Sequence, residues 1–410
     1  MTYDLIVLGG GAAGYFGALN AKEQAPHLKV AILEAGGSSL TKVKISGGGR
    51  CNVTHHCFQP RQLTENYPRG ARELLSAFSR FQPQDTIKWF KKRGVELKAE
   101  ADGRMFPTTN RSETIIQCFE KERIRHGITL ELKSRVQHIE WDQDHFQITL
   151  KSGKVLQSKF VLMATGSDPK SRDLLTNLGL NLTRCVPSLF TFKIAPFDLK
   201  ELAGQSVPEA ALNLKVNGKT FKRNGPLLVT HWGMSGPAVL KLSAFAAPEL
   251  FDAGYQGTLT VNWLGHDSYD QALHQLQQLK DSLKQQKVSK TPLSPLSRRL
   301  WQYFLNKASI QGEGPWNDVP QKNLRQLAQC LTSASYQVGG KGVFKEEFVT
   351  CGGMNRKDID FRSMESKAQP NLFFAGEVLD IDGITGGFNF QSAWTTSFIA
   401  SSAIAAKTII

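Results

Sequence analysis

Asp4-Leu5-Ile6-Val7-Leu8-Gly9-Gly10-Gly11-Ala12-Ala13-Gly14, followed by Val30-Ala31-Ile32-Leu33-Glu34, decides the fold of this 410-residue chain. Four apolar residues in a row before a glycine turn read as a strand buried on both faces, as in parallel sheets. Gly9 permits the tight turn, Gly11 lets the backbone approach a pyrophosphate, and Gly14 lets the next helix pack on the strand. The unpaired N–H groups and positive dipole end of that helix favour an anion without any basic side chain. Glu34 closes the second strand with Ala35 beside it, where a carboxylate accepts hydrogen bonds from ribose hydroxyls and disfavours a 2′-phosphate. Strand, glycine turn, helix and acid at this spacing predict an α/β, Rossmann-like dinucleotide-binding domain.

A chain of 410 residues exceeds the size at which one core stops growing, so two or three domains are expected. Cys51, Cys57, Cys118, Cys185, Cys330 and Cys351 are scattered and contain no CxxC pair, which points to reduced thiols, a cytoplasmic setting and no metal site. The first apolar run is too short for a signal peptide. The Ala393–Ile410 stretch carries Thr, Ser and Lys407 and suits a buried helix better than a membrane span. The net charge is +14. Its clusters, Lys91-Lys92-Arg93, Lys121 to Arg125 and Arg298-Arg299, fall on predicted helices, which favours solvated faces over a specific nucleic-acid surface. An anionic substrate or nucleotide donor would use the same field.

Helical spacing predicts helices over Tyr15–Gln24, Arg72–Ser79, Gln84–Lys92 and Glu113–His126. The stretch Lys42-Val43-Lys44-Ile45-Ser46-Gly47-Gly48-Gly49-Arg50-Cys51-Asn52 reads as a glycine-rich loop that brings backbone close to a ligand. Short strands follow at Arg135–Trp141, His145–Leu150 and Lys154–Gln157, then a buried strand Phe160–Ala164 ending in Thr165-Gly166. Composition changes near Pro187. Residues 189–266 are β-rich, with turns expected at Asn217-Gly218 and Asn224-Gly225 and a helix starting at Ser235-Gly236-Pro237. Residues 267–334 are helical, with Leu273, Leu276, Leu279 and Leu283 at helical spacing. We expect 1–188 and 341–410 to be the two parts of one cofactor domain and 189–340 to be an insert. Sheet character resumes at Phe344–Thr350 and again at Asn371–Ala375.

The last of these strands ends in Gly376-Glu377. In FAD enzymes a late strand of this kind supplies a carboxylate to the ribitol hydroxyls. Beyond it, Gly383-Ile384-Thr385-Gly386-Gly387 leads to a helix expected from Phe388 or Asn389, whose N-terminus would face the flavin edge that carries negative charge when reduced.

Four blocks carry a family resemblance: Lys44 to Thr54, His231-Trp232-Gly233-Met234-Ser235-Gly236-Pro237, Thr350-Cys351-Gly352-Gly353, and Phe374 to Gly383. In order and over essentially the whole chain, they resemble the bacterial NAD(P)/FAD-dependent oxidoreductase family that includes the bile-acid-inducible flavoprotein and aminoacetone oxidase relatives. The resemblance implies a two-dinucleotide-binding-type FAD domain interrupted by a β-barrel-like plus helical insert. It implies FAD contacts at Gly9, Gly11, Ala12, Ala13, Gly14, Glu34 and Ala35, and in the loop at Lys44, Ser46, Gly47, Gly48, Arg50, Cys51 and Asn52. It also implies them at Ala164, Thr165 and Gly166, at Gly376 and Glu377, and at Gly386, Gly387, Phe388, Asn389 and Phe390. Ser397-Phe398-Ile399-Ala400-Ser401 stands where relatives tend to have glycines, which puts close packing of the C-terminal helix in question.

Five residues lie between Cys51 and Cys57, not the four of a flavin-linked disulfide pair, so Cys51 reads as a packed loop residue. His55-His56 read as surface histidines. Gly339-Gly340-Lys341-Gly342 follows no apolar strand, so no second nucleotide fingerprint is expected; NAD(P)H, if used, would visit transiently, or the enzyme takes electrons from its substrate and passes them to oxygen or another acceptor. Arg50, Asn52 and Asp380 are the candidates for positioning or proton transfer, with Asp380 and Asp382 alternatively capping the glycine turn. Three functions stay open: a flavoenzyme moving a hydride between FAD and a small organic substrate, an RNA-modifying flavoprotein using reduced FAD, or a flavin-containing binding or sensor protein.

Overall fold

The computed structural model describes residues 1–342 and 349–408. The chain forms two units, Met1–Cys185 with Thr350–Ile410, and Val186–Val349.

The first unit is built on a sheet whose centre is fully buried. Strand Thr2–Leu8 lies parallel between Val30–Leu33 and Val155–Met163, with Leu5 opposite Val30 and Phe160. Thr129–Glu131 extends the parallel order on one side and Leu372–Phe374 on the other. Leu5, Ile6 and Val7 are completely buried, which explains why the run is continuously apolar instead of alternating. Sequence reading expected separate strands at Lys154–Gln157 and Phe160–Ala164. They are one strand, Val155–Met163, whose first half pairs antiparallel with His145–Leu150 and whose second half runs parallel to Thr2–Leu8.

Helix Ala12–Gln24 is buried from Ala13 through Ala21, so it has no solvent face. Gly17 sits on the sheet: a Cβ there would come within 2.5 Å of Leu162 Cδ2. The C-terminal helix, Phe388–Ala406, packs beside it, and the Ser397 hydroxyl donates to Ala13 O at 2.9 Å. The residue that stands in place of a glycine is therefore used as a hydrogen-bonding spacer, and the close packing is kept. Phe16, Trp89, Phe90, Phe119 and Trp394 form the aromatic core beside this contact. No helix of the described residues is long and apolar enough to cross a membrane.

The second unit contains, among the described residues, a closed barrel of six strands in the order Phe192–Ile194, Gly233–Ser235, Lys219–Val229, Ser206–Val216, Gln256–Asn262 and Ala334–Lys341. Asn217 and Gly218, both at positive φ, make the two-residue turn between the long strands, as such turns require. Asn224-Gly225 is not the expected turn. It lies inside Lys219–Val229, next to a register shift at which Gly225 adopts φ +137°, so the glycine serves a bulge. Gly339, Gly340 and Lys341 end a barrel strand. Helices Tyr269–Ser282, Arg298–Lys307 and Gln321–Thr332 bury Leu276, Leu300, Trp301, Phe304 and Leu327 in one core with the barrel's Trp263. Most of the strand expected at Phe344–Thr350 lies outside the described residues; Val349 and Thr350 open strand Val349–Met354.

The Ser397 contact is testable. Ser397→Ala should cost about 1 kcal/mol, the usual net worth of one hydrogen bond. Ser397→Leu should cost about 1–3 kcal/mol by overpacking against Gly17. Denaturant midpoints at constant m-value measure both, and a Leu variant as stable as the parent would contradict this packing.

Candidate functional site

The glycines of the first turn are fixed by backbone on backbone. Gly9 adopts φ +108°, and a Cβ on it would lie 2.4 Å from Ala164 O. A Cβ on Gly14 would lie 1.9 Å from Gly9 O. Gly11 is different: a Cβ there meets nothing within 4 Å. It is the N-cap of Ala12–Gln24, with no side-chain cap and no acid in the first turn. The helix end thus offers amide donors to open space, as an anion site must.

Glu34 belongs to this turn. Its carboxylate accepts from Gly10 N–H at 2.8 Å and Gly36 N–H at 2.6 Å. Two acceptor sites remain on the ionised group, so it can brace the loop and still receive ribose hydroxyls. Ala35 lies in the bend that these contacts hold.

The Lys42–Asn52 stretch, expected as loop, begins as helix. Thr41–Gly49 is helical until Ser46 turns extended and Gly47 and Gly48 go left-handed. A Cβ on Gly47 would press on Phe106 Cε1 at 2.9 Å and on Asn52 N at 3.0 Å, whereas Gly48 and Gly49 face open space. Lys44 is exposed, and its carbonyl accepts from Ser112 Oγ. Ser46 accepts through its carbonyl from Cys51 N–H at 3.0 Å.

The positioning candidates turn out to be committed to protein partners. Arg50 pairs with Glu100 at 2.6 Å and stacks on Phe106, with 3.9 Å from guanidinium carbon to ring centroid. Asn52 Oδ1 accepts from Met105 N–H. Asp380 receives Arg356 Nη1 on Oδ2 at 2.6 Å, while its buried Oδ1 has no hydrogen-bond partner among the described residues, and the fully buried Asp382 takes two bonds from Arg69. The aspartates therefore anchor the segment to distant arginines, and the hydrogen bonds that close the glycine turn come from Asn389. Its side chain accepts from Gly383 N–H and donates to Gly383 O, at 2.8 and 2.9 Å.

Gly376 and Glu377 form a short 3-10 turn after strand Leu372–Phe374. Glu377 accepts from Thr350 N–H at 3.1 Å and pairs with Lys42 at 2.7 Å. Lys42 is thus a site residue that sequence reasoning quoted in the loop but did not single out. Gly386 and Gly387 adopt φ +127° and +91°, and a Cβ on Gly387 would lie 2.5 Å from Thr54 O. The helix that follows starts at Phe388 with no side-chain cap and no acid in its first turn. Tyr67, another residue the sequence did not reveal, donates to Phe388 O at 2.6 Å. Phe388 stacks on His55 and Phe390 on Trp394, at 4.6 and 5.5 Å.

Cys51 is buried at positive φ, and burial pushes its thiol up to about 12. Cys57 is half-buried and also raised by burial. Both are free thiols. His55 and His56 diverge, one stacking on Phe388 and the other edge-on to Phe58.

These residues fit FAD. The uncapped end of Ala12–Gln24 with open space at Gly11 suits the pyrophosphate. The buried Thr165 Oγ1, beside Gly9 and Ala164, finds no hydrogen-bond partner among the described residues, as expected of a group that turns to a ligand. Ala164, Thr165 and Gly166 close the cradle at the end of strand Val155–Met163.

A Rossmann FAD-binding fold with this cradle defines an FAD-dependent oxidoreductase. The chain belongs to the HI0933-like protein Rossmann domain family, whose model matches residues 3–403. It is 29% identical over 419 residues to the ribosomal RNA dihydrouridine synthase of Escherichia coli (strain K12), covering 99% of each chain. It is 22% identical over 408 residues to the 3-dehydro-bile acid delta(4,6)-reductase of Clostridium scindens, covering 98% of each. Among solved structures it is similar in fold to an open flavocytochrome c3 fumarate reductase, with a TM-score of 0.52, 16% identity, and coverage of 100% of this chain and 79% of that one. It is also similar to the 3-ketosteroid-delta4-(5alpha)-dehydrogenase of Rhodococcus jostii RHA1, with a TM-score of 0.51, 13% identity, and coverage of 98% and 97%.

Two outcomes follow. Gly11→Val should fold normally and purify without FAD, because its side chain enters only space that a phosphate would need, whereas Gly14→Val should destabilise the whole unit. Flavin absorbance and thermal melts separate them; Gly11→Val with full FAD content would refute this geometry. With a thiol near 12, only about 10⁻⁴ of Cys51 is thiolate at pH 8. Iodoacetamide should therefore label Cys57 before Cys51 in the native protein, as read by peptide mass spectrometry.

Proposed function

We propose that this enzyme reduces the uracil ring of a uridine in ribosomal RNA, with FAD as its redox group. The observation that carries the reading is the 29% identity with the E. coli dihydrouridine synthase along 99% of both chains. A second relative of that description, from Haemophilus influenzae, is 26% identical over 413 residues. The net charge of +14 has the sign a polyanionic substrate needs, which weighs against reading the basic residues as solvated faces alone.

Reduced FAD supplies the hydride that such a ring reduction requires. The chain's own groups do the rest. Amides at the start of Ala12–Gln24 bind the pyrophosphate, and Glu34 takes the adenosine ribose while it braces Gly10 and Gly36. Glu377, held by Lys42 and Thr350, takes the ribitol hydroxyls. The uncapped start of Phe388–Ala406 sets a positive dipole end against the flavin edge that becomes negative. NAD(P)H serves as a transient donor, in keeping with a second unit made of a barrel and helices.

The test uses rRNA purified from cells lacking this gene, incubated with the FAD-loaded protein and NADPH. Nucleoside mass spectrometry should show dihydrouridine appearing at a defined position. If none forms while the same preparation reduces a conjugated enone, the small-substrate reading, which the bile-acid reductase relative supports, replaces this one.

A further inference from the structure

We propose that the outward face of the barrel hairpin Ser206–Val216 and Lys219–Val229 is the docking surface for the ribose-phosphate backbone of the RNA; this rests on the rRNA reading above. Apart from the exposed Glu209 near the start of Ser206–Val216, every charged side chain of the barrel strands is a cation. Lys215, Lys219, Lys222 and Arg223 lie between Ala210 and Val229, with no Asp or Glu in that stretch. Phe192–Ile194, Gln256–Asn262 and Ala334–Lys341 add Lys193 and Lys341 and again no acid. A face that is merely solvated mixes both signs, and a single-sign field is what steers a polyanion.

The register sorts these cations onto two faces. Leu212, Leu214 and Val216 point into the core, and their cross-strand partners are Arg223, Phe221 and Lys219. The cations in register with that side have protein partners: exposed Lys219 pairs with Glu249 at 2.7 Å, and Arg223 lies 3.5 Å over the Phe245 ring. On the opposite face, Asn213 stands across from Lys222 and Lys215 across from Thr220. Asn213 and Lys215 are flanked on the next strand by Thr260 and Thr258. Lys215 and Lys222 are exposed and make no ion pair among the described residues. They are diagonal neighbours, about 7–8 Å apart, the scale of adjacent phosphates on one strand. Hydroxyl and amide groups between them can bond sugar and phosphate oxygens, as most nucleic-acid contacts do.

The experiment titrates the FAD-loaded full chain with a fluorescent rRNA transcript at several salt concentrations. Lys215→Gln/Lys222→Gln should weaken binding about tenfold and lower the slope of log Kd against log salt by about two, one for each lost phosphate contact. FAD content and melting temperature should not move. Lys219→Gln, the same change on the other face of the same hairpin, should change affinity less than about twofold. If the parent binds and the double variant binds with the same affinity and slope, the docking face is wrong and the rRNA reading stands. If the parent shows no salt-dependent binding to the transcript, both are overturned.

Discussion

The carbonyl of Gly9 occupies the place a side chain on Gly14 would need, with 1.9 Å between them. That contact sets how closely the first helix leaves the first strand. Because the helix is so close, Gly17 reaches Leu162 and Ser397 reaches Ala13, and the three layers lock together. At the same turn Gly11, having no side chain, leaves the helix end uncapped and facing open space. Architecture and anion site thus share one glycine turn, and neither survives a side chain at position 14.

The parts of the fold that could be read from sequence are those whose residues behave alike in any context. Leu5 to Leu8 are apolar without alternation because both faces are buried, and glycines follow because only glycine fits. Val155–Met163 was misjudged as two strands because its environment changes midway: it alternates over Val155–Lys159 and is wholly buried over Phe160–Met163. The polar Gln157-Ser158-Lys159 between these halves imitate a turn. Asn224-Gly225 has the composition of a hairpin loop, yet the strand continues through it because a bulge needs the same positive φ. Thr41–Ile45 offers one helical turn with only Val43 buried, too little for periodicity to register.

In the site, the backbone was legible and the side-chain partnerships were not. Glycine positions declare where the chain must come close to something. The acids declare nothing about whom they meet: Arg69 is 313 residues from Asp382, and Lys42 is 335 from Glu377. No local pattern encodes such pairings, since they depend on which strands become neighbours. From sequence, Asp380 therefore suits proton transfer and capping alike, and Asp382 suits capping. Buried charges of this kind bind separate parts of the chain to one another.

The division of the chain has a consequence for how the molecule is made. Residues 186–349 are continuous, so the barrel and its helices can fold as soon as they have been translated. The first unit is assembled from 1–185 and 350–410. Until the chain beyond residue 350 has been made it lacks strand Leu372–Phe374, which pairs with Val155–Met163, and the helix that packs on Ala12–Gln24. A nascent chain halted before residue 350 would present an open strand edge and an uncovered apolar helix to its surroundings, the hallmark of a chaperone client. The polypeptide that completes the first unit emerges after the barrel unit, so cofactor capture follows the synthesis of the insert.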